Sequence, residues 1–158
     1  DPPPSISGDV DGDGTRDPLG DEFAELYNSG PTALNLAGYT LSDAAMVRHV
    51  FPEGTILPSK GVFVVFGSGT PASTFGGAIV QTASNGQLNL NNSGDVLTLR
   101  NASNTAMAVF DVNPLLAEPD ESYTISPDIL GNFVRHSSIS AANGRLFSPG
   151  TRLSGSAF

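Results

Sequence analysis

Gly61-Val62-Phe63-Val64-Val65-Phe66-Gly67 is an unbroken apolar run held between two glycines. A strand that buries one face alternates apolar and polar residues, whereas one covered on both faces has no polar side to present. The run therefore predicts a central strand over 61–67 with a layer packed against each face. Upstream of it, Glu22-Phe23-Ala24-Glu25-Leu26-Tyr27-Asn28 alternates. That period sets Ala24 and Leu26 on one face and Phe23, Glu25 and Tyr27 on the other. Asn28-Ser29-Gly30-Pro31 stops the strand. Two more strands are predicted at Tyr39–Ser42 and Val47–Phe51, the second ended by Pro52 and Gly54. Downstream, strands are predicted at Ala78–Thr82, Gln87–Leu90, Asp95–Arg100 and Ala106–Val112, with Asn92-Ser93-Gly94 as a break and Asn101-Ala102-Ser103-Asn104 as a hairpin turn. About eight short strands at even spacing, with no helical period, describe an all-β sandwich.

Beyond Asn113 the periodicity fades. Short strand candidates remain at Ser122–Ile125 and Phe133–His136, and Gly144–Gly150 reads as an ordered loop whose Leu146 and Phe147 tuck against the sandwich. With no linker or internal repeat visible, 1–158 reads as one domain. Residues 1–21 form a proline-rich approach and an acidic loop, 22–112 the sandwich core, and 113–158 an irregular segment packed on it.

The 158 residues include no cysteine, which excludes disulfides and thiolate chemistry and leaves oxygen or imidazole nitrogen for any metal. No apolar run approaches the ~20 residues of a membrane span. A net charge of −9 repels nucleic acid and anionic lipid. Gly 18 and Pro 12 argue for frequent turns, and Lys60 is the sole lysine among seven bases. Such an acidic, lysine-poor, cysteine-free surface fits a secreted or cell-surface protein. An exported protein whose sequence shows no signal peptide reads as a mature or truncated form.

The acid is concentrated. Residues 1–25 hold eight acidic side chains against Arg16 alone, leaving −7, while the other residues carry only −2. Such a stretch is either a disordered acidic arm or a cation site. Asp9-x-Asp11-x-Asp13-Gly14-Thr15-x-Asp17 has calcium-loop spacing. Carboxylates at the first, third and fifth positions converge when the backbone curls around an ion, and Gly14 permits the sharp turn. Thr15 offers its carbonyl, and Asp17 binds directly or through water. The twelfth position is Gly20 instead of glutamate, and Pro18 forbids flanking helices, so the closing ligand is expected to be Asp21 or Glu22. Hard oxygen ligands select Ca²⁺ in a structural role.

Nucleophilic and redox motifs are missing from the sequence. His49 and His136 are the only histidines. Ser137 follows His136 directly, and neighbours on a strand face opposite ways, which defeats a simple dyad. Both histidines read as lying on strand surfaces or hydrogen-bonded at edges. Glu22 and Glu25, three apart on a strand, also face opposite ways and make a poor glycosidase pair. Tyr27, Tyr39 and Phe63 read as core in preference to a sugar platform. Asn91-Asn92-Ser93 and Asn101-Ala102-Ser103 are formal glycosylation sequons.

Several segments in order carry a family resemblance. They are Asp21–Asn28 (DEFAELYN), Leu34–Asp43 with its Leu-Ala-Gly-Tyr-Thr-Leu-Ser-Asp strand, the Phe51–Thr55 turn, the Gly61–Val65 strand and the Asn91–Leu99 hairpin. Together with Gly8–Gly14, His136-Ser137 and Leu146–Arg152, they make the chain similar to lamin tail domains of prokaryotic, secreted type. The resemblance implies an immunoglobulin-like β-sandwich and a non-enzymatic module used in architecture, surface attachment or partner binding. Relatives of this kind usually begin with a short apolar strand ahead of the Asp-Pro-Pro segment, and this sequence opens at Asp1-Pro2-Pro3-Pro4. The expectation is a bare edge beside Phe23–Tyr27. Residues upstream of Asp1, the segment Thr151–Phe158, or a neighbouring subunit would then fill it.

The function expected is a calcium-stabilised extracellular assembly module that polymerises by strand exchange, with other copies of itself or a cell-surface protein as partner. The alternative is an accessory module of a larger secreted protein or hydrolase that binds a glycan or a protein.

Overall fold

The computed structural model describes residues 2–115, 120–127 and 129–158, except for the Pro114 side chain. Asp1, residues 116–119 and Asp128, which belong to the approach and irregular segments read from the sequence, lie outside the described residues. Among the described residues the chain is all-β, its helical content limited to single 3₁₀ turns. In order the strands are β1 (Phe23–Tyr27), β2 (Leu34–Asn35), β3 (Thr40–Ser42), β4 (Val47–Val50), β5 (Ile56–Leu57), β6 (Val62–Phe66), β7 (Ile79–Thr82), β8 (Val96–Arg100), β9 (Ala106–Asp111), β10 (Tyr123–Ser126) and β11 (Asn132–Arg135).

The apolar run is the middle strand of a sheet ordered β1-β6-β7. β1 pairs antiparallel to β6 from Phe23↔Phe66 to Tyr27↔Val62, and β7 runs parallel on the other side. A second sheet, ordered β4-β3-β8-β9, is antiparallel throughout. The two sheets face each other over one core. Phe63, Val65, Ala24 and Leu26 from the first sheet meet Leu41, Leu97 and Leu99 from the second, with Leu36, Phe51, Leu57 and Leu88 between. The opposite face of the first sheet, Val62, Val64 and Phe66 with Phe23 and Tyr27, is covered by Val10, Phe75, Phe147 and Phe158. All five residues of β6 are buried, as a strand covered on both faces requires. Small ladders of β2 with β5 and β10 with β11 complete the molecule.

Several details depart from the sequence reading. Gln87–Leu90 is not a strand, because Asn89 has φ +54°, outside the extended region. Leu88 nevertheless plugs the core from a loop. Phe51 lies just past β4, and the β2–β5 ladder, two residues a side, was too short to show a period. His49 and His136 do not lie on the surface, since both are buried, but both are hydrogen-bonded, His49 on the edge strand β4. His49 Nε2 lies 3.0 Å from Gln81 Oε1, its ring edge-on to Phe51. His136 opens a 3₁₀ turn, His136–Ser138, instead of ending a strand. It lies 2.8 Å from the Arg145 carbonyl through Nδ1 and 2.9 Å from Ser148 Oγ through Nε2, stapling the β11 end to the following loop. Phe63 is core, and Tyr27 and Tyr39 pack partly buried against the two cores.

Candidate functional site

The acidic loop is folded by its own carboxylates. Asp21, at the threshold of β1, accepts N–H bonds from Val10 (2.6 Å) and Asp11 (3.0 Å) on Oδ1 and from Asp17 (2.7 Å) on Oδ2. One side chain thus closes the circuit from the approach to the first strand. Asp11 Oδ1 accepts from Asp13 N, Asp13 Oδ1 from Thr15 N, and Asp9 Oδ2 from Gly14 N. The first two form because an aspartate carboxylate reaches the amide two residues ahead, whereas Asp9 spans the turn to an amide five residues on.

The coil is fastened to the sheet. Asp11 O accepts from Ala72 N, and Gly67 N, just past β6, donates to the carbonyls of Gly20 and Glu22. A Cβ on Gly67 would lie 1.8 Å from the Leu19 carbonyl oxygen, so only glycine allows this approach. Gly69, at φ +82°, leaves room for two carboxylate oxygens: a Cβ there would lie 2.6 Å from Asp11 Oδ2 and 3.3 Å from Asp13 Oδ2.

Asp9, Asp11 and Asp21 each place a carboxylate oxygen within 4.8 Å of the other two. Asp11 and Asp21 are each 2% exposed, and Asp9 Oδ1 is buried with no hydrogen-bond partner. Burial, and after it the charges of Asp13, Asp21 and Asp9, push the Asp11 carboxyl up to about 6, against the pull of its bond from the Asp13 N–H. Arg16 does not neutralise the group; it donates to the carbonyls of Pro2 and Pro3. Of the other candidates, Asp13 reaches the edge of the cluster beside Asp11. Thr15 is exposed and engaged through its N–H, and Asp17 turns its Oδ1 to Leu19 N. Glu22 points away, accepting from Leu90 N, and burial raises its pKa. Of the two residues expected at the closing position, Asp21 is the one whose carboxylate faces the loop.

Among the described residues, β1 is an edge of one sheet and β9 an edge of the other, and both line a groove of about 670 Å³ beside this loop. Its floor holds inter-sheet core residues such as Leu26, Leu36, Leu97 and Leu99. Phe147 and Phe158 reach it from the outer face of the first sheet, and Tyr123 and Phe133 of the β10–β11 hairpin bound it beyond β9. Val10 and Asp21 of the acidic loop line it too.

The sequence profile of the Lamin Tail Domain family matches residues 6–114, more than half of the chain, including the acidic loop and β1–β9. The chain belongs to the lamin tail domain family. Domains of this family are immunoglobulin-like and generally non-catalytic, in keeping with two facing β-sheets here. The match ends before β10, so the hairpin and the segment carrying His136 and Ser148 lie beyond it. Comparison with curated proteins returned no match.

Sequence reasoning missed Gly67, Gly69 and Ala72, which hold the loop against the sheet. A single glycine between apolar and small residues carries no signal of what it approaches. No helix among the described residues is long and apolar enough to cross a membrane.

Proposed function

We propose that this lamin tail domain is a non-catalytic, calcium-stiffened extracellular module that takes up an extended strand of another polypeptide and so joins an assembly. The partner is another copy or a cell-surface protein. The observation that carries the reading is the open seam, in which the edge strands β1 and β9 of both sheets line one apolar groove. An edge strand presents unpaired N–H and C=O groups, and a core left open beside it favours strand addition. The acidic, cysteine-free composition supports an extracellular setting.

Calcium fits the chain's own residues. Asp9, Asp11 and Asp21 would hold it, with Asp13 nearest in reserve, and the buried, unpartnered Asp9 Oδ1 has an unmet need that a cation fills. When bound, the ion supplies charge neutralisation and rigidity to the wall of the seam. Hydrogen exchange tests the seam. In the isolated monomer, the outward amides of Phe23–Tyr27 exchange fast, and assembly protects them. Slow exchange of all five in a monomer would show the seam already closed and end the reading. Calorimetry tests the ion: no heat and no stabilisation at millimolar Ca²⁺ would reduce the loop to a turn.

A further inference from the structure

Asn-Gly occurs at Asn85-Gly86 and at Asn143-Gly144. The pair is chemically labile in water. Glycine has no side chain to shield its nitrogen, which reaches the preceding asparagine side chain once the backbone rotates. After base removes its proton, that nitrogen attacks Cγ. A C–N bond forms, the Cγ–Nδ2 bond breaks, and ammonia leaves having taken a proton from water. Water then opens the cyclic imide at either carbonyl. One product is aspartate. The other is isoaspartate, whose main chain runs through Cβ and Cγ and is longer by one methylene.

The fold treats the two pairs differently, although both asparagines are exposed. Gly86 N donates to the Ala83 carbonyl at 2.9 Å, which ties down the nucleophile. The Asn85 carboxamide is held at both ends: Nδ2 donates to the Val47 carbonyl at 3.2 Å, and Oδ1 accepts from Gln87 N at 3.3 Å. At the other pair, neither the Asn143 carboxamide nor the Gly144 N–H has a hydrogen-bond partner among the described residues. Asn143 sits at φ 51°, ψ 43°, a left-handed conformation that asparagine visits without being locked into it. The peptide between Asn143 and Gly144 can therefore turn toward Cγ without giving up a hydrogen bond. We infer that Asn143-Gly144 is a site of spontaneous deamidation, while the fold protects Asn85-Gly86.

The site lies where a change of chain length is felt. Asn143 N donates to the Ser140 carbonyl at 3.1 Å, and Arg145 N to the Ala142 carbonyl at 3.0 Å, so the turn is fixed on both sides. The Arg145 carbonyl in turn accepts from His136 Nδ1 at 2.8 Å. An extra methylene between these anchors displaces Arg145 and loosens the staple at the end of β11.

The test is incubation of the intact chain in warm, mildly alkaline buffer, with both pairs followed by peptide mapping and electron-transfer fragmentation. Asn143 is expected to convert at least about tenfold faster than Asn85, because breaking one hydrogen bond of ordinary strength already costs about that factor. In urea the two should convert at similar rates. Equal rates in the folded chain, or a faster Asn85, would overturn the assignment, and a gap that persists in urea would overturn protection by the fold. The aged chain carrying isoaspartate is expected to melt about 2–4 °C lower than the fresh one, the shift for one lost hydrogen bond in a domain of this size. N143D supplies the charge without the methylene and should melt with the fresh parent. N143Q, which forms a cyclic imide far more slowly, should keep its own fresh melting temperature through the same incubation. The link to His136 is overturned by an aged parent that melts unchanged, by N143D melting as low as the aged parent, or by an aged N143Q that drops as far.

Discussion

Asp21 shows how much one side chain organises. Its carboxylate is the common acceptor of three N–H groups from separate points of the loop. Asp21→Ala strands those donors where water has little access, and the expected loss is about 2–4 kcal/mol in urea denaturation with chelator present. The same variant should lose any Ca²⁺-induced rise in melting temperature. Asp11 makes a pH-dependent statement. Its carboxyl lies at about 6 in the fold against an ordinary 3.8. Its contribution is therefore complete below about pH 4 and is lost as pH rises through about 6. His49 and His136 act in the opposite sense, because burial holds both below the ordinary 6.5 despite their hydrogen bonds. Their contribution is present above pH 6.5 and lost as pH falls below it. In chelator, Asp11→Asn should flatten the decline in melting temperature between pH 4 and 7, and saturating Ca²⁺ should flatten it in the parent chain. A decline unchanged by Asp11→Asn would remove Asp11 as its source.

β6 and the β8–β9 hairpin are legible in the sequence for a physical reason. A continuous apolar run has only one comfortable place in a sandwich, and Asn101-Ala102-Ser103-Asn104 folds on itself through the Asn101 carboxamide, which accepts from Ser103 and Thr105 N–H. What escaped depended on long-range fit. Gln87–Leu90 alternates as a strand would, yet the positive φ of Asn89 turns it into a loop, and no local pattern announces that. Arg48 on β4 carries no local sign of its burial, yet it is buried and pairs with Asp43, donating from Nε at 2.7 Å. Burial alone would raise the Asp43 carboxyl, but the Arg48 guanidinium and the Ala45 and Met46 amides hold it below its ordinary value. Arg48→Ala should therefore cost about 3 kcal/mol by leaving a buried charge unpaired, where an exposed base would cost almost nothing. Val64, fully buried on the outer face of the first sheet, should cost about 2–3 kcal/mol when cut to alanine. Chemical denaturation measures both. An Arg48→Ala effect near zero would mean that Asp43 finds water once its partner is gone.

The acidic loop was recognisable from its Asp/Gly spacing, but the company it keeps was not. Only the folded chain shows that Asp9, Asp11 and Asp21 converge, and that the loop forms a wall of the seam. Calcium removal should accordingly make the stretch before β1 the first point of proteolytic entry, read by mass spectrometry of limited digests. Cleavage starting elsewhere with equal speed would separate the ion from that wall. The pairing of β1 with β6 has one more consequence, in the order of events by which the molecule forms. The β8–β9 hairpin joins neighbours in the chain, but β1 must wait for β6, with β2 to β5 lying between them in sequence. Contacts that close long loops tend to come late. The acidic loop, hung on the ends of β1 and β6, would then be assembled after the rate-limiting step. An ion held there stabilises the native state far more than the transition state, so Ca²⁺ should slow unfolding severalfold while leaving the refolding rate almost unchanged. Stopped-flow refolding and unfolding with and without the ion measure this, and an effect confined to the refolding arm would place the loop in the folding nucleus instead.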